Sequence, residues 1–289
     1  MSKIKIMTDS ACDISAELEK ELDIMIVPFK IAMGDKSYTS RVDFDNEQFY
    51  DMLDSYDGIP ATSQITAFEF GEIYENLYNQ GYTDVIYTSI NSKGSATYNN
   101  SVMATNEFFE NHPDAKDKFN IYTLDSKTYS GGYGYPVIEA GKKAKKGQSA
   151  KSIVSFLKDW FDNGVIYFGM YTLQYAKKSG RIPSAAAFVG EVMGLRPIMK
   201  IENNEIVTAN KVRGDKAIIP KILECCEKEM IPKTPYCVMY GSDKAVGDEM
   251  AQAMTKAVGY PPSEMIQIGA AIAINAGPKV VSVVIKAQK

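Results

Sequence analysis

The chain has 289 residues, of which 45% are hydrophobic and 24% charged, and its formal net charge is −4. These values are typical of a globular protein long enough for two domains, and the acidic balance argues against a general nucleic-acid binder, which would be basic. No apolar run reaches the roughly 18 residues of a membrane span, because Gly269, Asn275 and Lys279 interrupt the longest candidate, residues 266–284.

The first half of the chain alternates strand and helix patterns. Predicted strands cover residues 3–8, 24–33, 37–39, 84–88 and 119–124. Predicted helices begin after Ser15, at Asp45 and Thr66, near Ser95 and Ser130, and after Ser149. This alternation predicts an α/β fold with a mostly parallel sheet and flanking helices. Because the first strand follows the N-terminus directly, we expect no signal peptide and a cytoplasmic protein.

Three glycines, Gly131, Gly132 and Gly134, begin the predicted helix 130–145. Each costs about 1 kcal/mol relative to alanine in a helix. We therefore expect the backbone to approach closely either a ligand or another part of the fold. The spacing is not that of a dinucleotide-binding fingerprint.

The second half has a different pattern, and we place the domain boundary near residue 162, giving domains 1–162 and 163–289. Predicted strands cover residues 165–170, 236–241, 267–274 and 280–286, and a hairpin joins 196–202 to 205–208. Helices are predicted over 215–228 and 243–258, and a segment of small residues covers 181–192. This half is predicted to be an α+β domain with a mixed sheet.

Residues 89–101 are rich in hydroxyls and connect a predicted strand to a predicted helix. The free N–H groups of such a junction favour an anion. Thr62 and Ser63 form a second hydroxyl pair, and helix capping by Ser63 or Ser95 is the alternative.

The single histidine, His112, lies in a polar turn. Without a histidine base nearby, the hydroxyls favour holding an oxygen-rich group over nucleophilic attack.

Other polar clusters have two interpretations each. Asp9 and Ser10 end the first strand, where open α/β sheets bind ligands, but they also suit turn formation. The basic residues form either a partner-docking patch or a solvated surface, and they are Lys177, Lys178, Arg181, Arg196 and Arg213. The four cysteines lack metal-ligand spacing and are predicted to be reduced, so no metal is expected.

Taken together, the motifs resemble those of the DegV family and, within it, the fatty-acid-binding subunits of bacterial fatty acid kinase. The resemblance covers essentially the whole chain and lies in the order and spacing of its motifs. The motifs are Thr8-Asp9-Ser10 with Asp13-Ile14-Ser15, Ile26-Val27-Pro28, Pro60-Ala61-Thr62-Ser63-Gln64, Ser89 to Tyr98, Asp125-Ser126 with the glycine-rich helix, Leu173 to Ile182, Arg196-Pro197-Ile198, Lys211-Val212-Arg213 and Ile268-Gly269 with Gly277-Pro278.

This resemblance implies a fatty acid buried between two α/β domains, with its carboxylate bound by Thr62 and Ser95. Asn275 stands where the family has a histidine and is predicted to bind the carboxylate too, and Ser63 completes the predicted carboxylate site. Residues expected near the ligand are Asp9, Ser10, Ser92, Thr97 and Gly277. Other departures from the family pattern are Gly94, Ala96, Ser179 and Lys279. No cofactor is expected.

Three functions follow as hypotheses. The first is a non-catalytic carrier that presents a long-chain fatty acid to a partner kinase for acyl phosphate formation, with transient contact to a membrane surface left open. The second is a hydrolase or transferase that uses Ser95 or Ser10 as nucleophile, with Lys93 as base. The third is a binding protein for another amphipathic anion without a kinase partner, which Asn275 keeps open.

Overall fold

The computed structural model describes residues 2–186, 188 and 194–288, so the predicted segment 181–192 lies partly outside the described residues. The strands are β1 (Ile4–Asp9), β2 (Met25–Val27), β3 (Lys30–Met33), β4 (Lys36–Thr39), β5 (Ala61–Ser63), β6 (Asp84–Ser89), β7 (Asn120–Asp125), β8 (Gly164–Met170), β9 (Leu195–Glu202), β10 (Glu205–Arg213), β11 (Cys237–Tyr240), β12 (Glu264–Gln267) and β13 (Val280–Lys286). The α-helices are α1 (Ala16–Leu22), α2 (Asn46–Ser55), α3 (Ala67–Asn79), α4 (Thr97–Asn111), α5 (Gly131–Lys145), α6 (Ala150–Asn163), α7 (Gln174–Ser179), α8 (Pro183–Ala186), α9 (Ile218–Glu229), α10 (Lys244–Val258) and α11 (Ala270–Ala276).

The first sheet is parallel and has the strand order β2-β1-β6-β7. All six residues of β6 are buried, as expected for a central strand covered by helices on both faces. A small antiparallel sheet, β4-β3-β5, adjoins it. The predicted α/β architecture of the first half is confirmed.

The second sheet is mixed, with the strand order β10-β9-β8-β13-β11-β12. Its pairs are antiparallel except for β11 with β12, which is parallel. Strand β13 therefore lies in the interior of the sheet, between β8 and β11. The predicted mixed sheet is confirmed.

Four helix starts predicted from capping residues are confirmed. Ser15, Asp45, Thr66 and Ser149 each accept a hydrogen bond from a backbone N–H of the first helical turn. Asp45 and Thr66 belong to full capping boxes, because Gln48 and Glu69 bond back to the capping residue's own N–H. The alternative prediction that Ser63 caps a helix is wrong. Thr66 is the N-cap of α3, and Ser63 is the last residue of β5.

The prediction of one strand over residues 24–33 is wrong. The segment forms β2 and β3, which belong to different sheets. The break falls at Pro28, which has no N–H to donate to a sheet. The next N–H, that of Phe29, donates instead to Ser10 Oγ at 2.9 Å.

The prediction of a strand over residues 267–274 is also wrong. β12 ends at Gln267, and residues 270–276 form α11. Four alanines in seven residues favour the helix, because alanine has the highest helix propensity. Asn275 therefore lies in the last turn of a helix rather than in a loop between two strands.

The glycines of α5 lie against other parts of the fold and do not line the cavity described below. A Cβ built on Gly134 would lie 2.1 Å from the carbonyl oxygen of Cys12, in the turn after β1. The corresponding Cβ on Gly132 would meet Thr128 and Ile166. The Gly132 carbonyl also accepts a hydrogen bond from Trp160 Nε1 at 3.0 Å. These contacts resolve the two predicted alternatives in favour of close packing within the fold.

Helix α11, in the second half of the chain, contacts elements of the first half. Just before it, the Ile268 carbonyl accepts a hydrogen bond from Tyr50 Oη in α2 at 2.6 Å. Asp13, buried beside Gly269, accepts one from Ser130 Oγ at 2.5 Å. Burial raises the pKa of Asp13 to about 7, because an ionised carboxylate loses its hydration there. Elements of the first half therefore fix the N-terminal end of α11.

Candidate functional site

A cavity of about 350 Å³ lies between the six-stranded sheet, α11 and the loops that follow β6 and β7. This volume is within the range of about 300–1,000 Å³ that is typical of small-molecule sites. Its lining residues come from both halves of the chain. Polar side chains of the lining include Thr62, Gln64, Ser95, Arg181, Asn275 and Ser282.

The lining residues of the cavity differ in solvent exposure, which distinguishes its entrance from its interior. Thr62, Gln64 and Arg181 are exposed, so they border the opening. The interior wall is formed by buried apolar side chains on β8, β9, β11 and α11, such as Ile166 and Met239. The cavity therefore has a polar entrance and an apolar interior, which suits an elongated molecule with one polar end.

Two of the predicted hydroxyls lie at this entrance. Thr62 is in β5, which is positioned by its pairing with Ile31 of β3. Ser95 precedes α4, where its Oγ lies 2.9 Å from Thr97 Oγ1 and accepts a hydrogen bond from the Thr97 N–H at 3.3 Å. Ser95 thus orders the start of α4 while it lines the cavity.

Arg181 is the cation of the entrance. Its Nη1 donates to the Gly94 carbonyl at 2.7 Å, which joins the turn after α7 to the loop before α4. The same loop is tightened by Asn91, whose carbonyl accepts a hydrogen bond from the Gly94 N–H at 2.9 Å. A guanidinium held beside the Ser95 loop favours an anionic group at the entrance.

Asn275 lines the same cavity as Thr62 and Ser95, from α11, although it is remote from them in sequence. Its Nδ2 donates to the Ala271 carbonyl at 3.0 Å. An amide nitrogen has two protons, so one remains for a ligand, but unlike a histidine the group cannot carry charge.

Several predicted residues near the ligand do not line the cavity. Asp9 accepts hydrogen bonds from the N–H groups of Ala11 and Ile90 and from the hydroxyls of Tyr87 and Tyr133. Burial raises the pKa of its carboxyl to about 6, although all four donors oppose this. The carboxyl of Asp9 therefore holds β1, β6 and α5 together.

Five further predicted residues, Ser10, Ser63, Ser92, Thr97 and Gly277, also lie outside the cavity lining. The hydroxyls of Ser10, Ser92 and Thr97 form hydrogen bonds that hold loops in place. Ser10 Oγ accepts the Phe29 N–H, and Ser92 Oγ donates to Asp125 Oδ2 at 2.5 Å. Thr97 is buried and accepts the Ile65 N–H at 3.3 Å. Gly277 ends α11 with a φ of 84°, and Ser63 is exposed in β5 beside Thr62. The residues that the structure brings together are Thr62, Ser95 and Asn275.

The five predicted docking residues lie in two regions, at the end of α7 and on the strands β9 and β10. Lys177 and Lys178 are exposed in the last turn of α7, close in sequence to Arg181 at the entrance. Arg196 and Arg213 lie on the paired strands β9 and β10, and Arg196 Nε donates to Asp215 Oδ1 at 2.8 Å. Of the five, Arg181 lines the cavity.

Four polar lining residues were missed as candidates by sequence reasoning, namely Gln64, Tyr129, Ser130 and Ser282. Gln64 belongs to the Thr-Ser-Gln motif, so its signal was adjacent to that of Thr62. Ser282 is the one polar residue in the run 280–285 of β13, which otherwise contains valine and isoleucine. A serine in a fully buried strand was the available signal.

The comparisons agree with this architecture. A family model described as "Uncharacterised protein, DegV family" matches residues 3–288. A DegV domain-containing protein from Clostridium perfringens is 30% identical over 284 residues, which cover 97% of each chain.

Solved structures share the fold. A stearic acid-binding protein from Eubacterium ventriosum has a TM-score of 0.86 at 24% identity, covering 99% of this chain and 98% of that one. A fatty acid binding DegV family protein from Streptococcus agalactiae has a TM-score of 0.86 at 22% identity, covering 100% of both chains. Among the described residues no helix has the length and hydrophobicity to span a bilayer.

Proposed function

The chain belongs to the DegV family, and we propose that it binds one long-chain fatty acid between domains 1–162 and 163–289. The carboxylate would lie at the entrance and the acyl chain in the apolar interior. The observation that carries the proposal is the division of the cavity into a polar mouth, with Thr62, Ser95 and Arg181, and a buried aliphatic wall. Structural neighbours described as fatty-acid-binding support it.

The two ends of the ligand contribute differently. Burying acyl methylenes is worth about 0.8 kcal/mol each, so a chain of some sixteen carbons contributes on the order of 10 kcal/mol before the costs of binding. The carboxylate must exchange its hydration for hydrogen bonds. Within the described ranges, Thr62 Oγ1 and the Gln64 amide have no protein partner, so both are free to bind the carboxylate. The tail supplies affinity and the entrance supplies orientation.

A carboxylate at an open entrance is accessible to a second protein. We propose that the chain is a non-catalytic cytoplasmic carrier that presents the carboxylate to a fatty acid kinase, which converts it to an acyl phosphate. Arg181 at the entrance, together with exposed Lys177 and Lys178, would bind the acidic groups of that partner or its phosphates. Loaded protein mixed with ATP and a bacterial fatty acid kinase subunit should yield acyl phosphate, detectable as the hydroxamate. No product would reject this step and leave lipid binding intact.

The contacts of Ser95 and Lys93 give no support to the hydrolase hypothesis. Lys93 forms an ion pair with Glu205, and the described partners of Ser95 Oγ are both groups of Thr97. The second nucleophile candidate, Ser10, is buried away from the cavity lining. The presence of Asn275 favours the third hypothesis, in which the ligand is another amphipathic anion. A neutral amide can bind many polar head groups and does not select a carboxylate.

Native mass spectrometry of protein purified from a bacterial host tests the proposal. We expect one bound mass per chain, which extraction and chromatography identify as a fatty acid. A stoichiometric ligand of another class would favour the third hypothesis. Protein that stays empty when supplied with fatty acids of graded length would reject lipid binding.

Removing the hydroxyl of Thr62 should weaken fatty acid binding. Hydrogen bonds to charged groups contribute about 1.5–3 kcal/mol, so Thr62→Val and Ser95→Ala should each raise the Kd for stearic acid roughly 10- to 100-fold. Ser63→Ala is the matched control, because Ser63 adjoins Thr62 in β5 but does not line the cavity. Its Kd should stay within about twofold. Equal losses in Thr62→Val and Ser63→Ala, measured by calorimetry, would contradict the assigned carboxylate position.

A further inference from the structure

Ser282 is a polar residue in the apolar interior of the cavity. It lies in β13, in register with Phe168 of β8 on one side and Met239 of β11 on the other. All three residues line the cavity, and Ser282 is only 3% exposed. Its hydroxyl therefore belongs to the part of the wall that would contact the acyl chain and not the carboxylate.

The hydroxyl of Ser282 has no hydrogen-bond partner among residues 2–186, 188 and 194–288. Thr62 and Gln64 are also unpaired within these ranges, but they lie at the exposed entrance. Three other polar residues of the lining are bonded to protein groups. Ser130 Oγ donates to Asp13, Asn275 Nδ2 to Ala271 and Arg181 Nη1 to Gly94. The Ser282 hydroxyl borders the cavity, so a ligand that displaces water from it must supply a hydrogen-bond partner or leave the hydroxyl desolvated without compensation.

An unsubstituted methylene chain cannot supply that partner. Space for the chain would be provided equally by alanine, which is close to serine in size and carries no oxygen to desolvate. The neighbours of Ser282 along β13 are valines, so the strand itself has no need of a polar residue at this position. A serine is favoured where the ligand carries an oxygen of its own, because Oγ can donate to a carbonyl and can also accept from a hydroxyl.

We infer that the cavity selects long-chain fatty acids that carry a hydroxyl or keto oxygen along the acyl chain, and that Ser282 determines this selectivity by hydrogen bonding to that oxygen. The inference rests on the proposed function, since it assumes that the entrance binds a carboxylate. The selectivity has two components. A plain chain leaves Ser282 unpaired, and an oxygenated chain without Ser282 leaves its own oxygen unpaired.

The test compares stearic acid with octadecanoic acids that carry one hydroxyl or one keto group at successive positions along the chain. Binding is measured by calorimetry on delipidated protein. For the wild type we expect one position to bind about tenfold more tightly than stearic acid. In Ser282→Ala the preference should reverse, with stearic acid gaining and the oxygenated acid losing. Ser282→Thr retains the hydroxyl and should keep the wild-type order.

Three outcomes decide the matter. A reversal in Ser282→Ala together with retention in Ser282→Thr supports the inference. Wild-type protein that prefers stearic acid over every oxygenated isomer, or a preference that Ser282→Ala leaves unchanged, overturns it while fatty acid binding stands. Binding of neither class by folded wild-type protein overturns the proposed function as well. Thermal unfolding of each empty variant confirms that the comparison concerns folded protein.

Discussion

Replacing Ala271 with tryptophan is expected to abolish fatty acid binding, raising the Kd for stearic acid at least 100-fold. Ala271 is a buried residue of α11 whose side chain lines the cavity. An indole at this position would enter the empty space and occupy the volume that the acyl chain needs. The lost burial of several methylenes, at about 0.8 kcal/mol each, accounts for the size of the effect. Native mass spectrometry and calorimetry measure it.

A control on the same helix distinguishes occupation of the cavity from damage to α11. Ile272 also lines the cavity, and Ile272→Leu keeps the volume of the side chain while altering its shape. Volume-conserving exchanges are usually tolerated, so its Kd should stay within a few-fold of the wild type. Undiminished binding by a folded Ala271→Trp variant would show that the acyl chain lies elsewhere.

The second large effect concerns stability. Gly134→Ala is expected to lower the free energy of unfolding by about 3 kcal/mol or more. The added Cβ would lie 2.1 Å from the backbone carbonyl of Cys12, which cannot move aside as a flexible side chain does. Either α5 or the turn after β1 must shift, and that turn adjoins the four hydrogen bonds that hold Asp9. Urea unfolding followed by circular dichroism measures the loss.

Gly71→Ala is the matched control for this substitution. Gly71 lies within α3, and a Cβ built there meets no atom within 4 Å among those described. Alanine should therefore stabilise the protein by roughly 0.5–1 kcal/mol, because it restricts the unfolded chain more than glycine does. Similar changes at both sites would contradict the close approach of α5 to Cys12.

The local elements were predictable where one physical signal dominated. Asp45 and Thr66 combine a capping side chain with Gln48 or Glu69 three residues on, and the helices begin there. The errors arose where two signals competed. In residues 267–274 a short apolar run before a Gly-Pro turn favoured a strand, while the helix propensity of alanine favoured α11 and prevailed.

The candidate site was predictable only with the help of the family resemblance. Thr62, Ser95 and Asn275 lie far apart in sequence and line one cavity because β5 pairs with β3 while α11 contacts elements of the first half of the chain. Hydrophobic periodicity indicates local helices and strands, and it does not show which distant residues line one cavity. Ser282 was missed for a related reason, since a strand pattern indicates burial but not which face of the sheet borders a cavity.

The position of β13 constrains when the cavity can exist. β13 is made after its two neighbours, β8 and β11, yet it lies between them and is the strand that joins them into one sheet. While a ribosome is still adding residues before Val280, the first sheet can already fold, but the second has a gap where Val280 and Ser282 will form part of the cavity wall. The cavity wall is thus completed only once β13 has been made, so any ligand enters after translation of β13 and cannot assist the folding of the segments made before it.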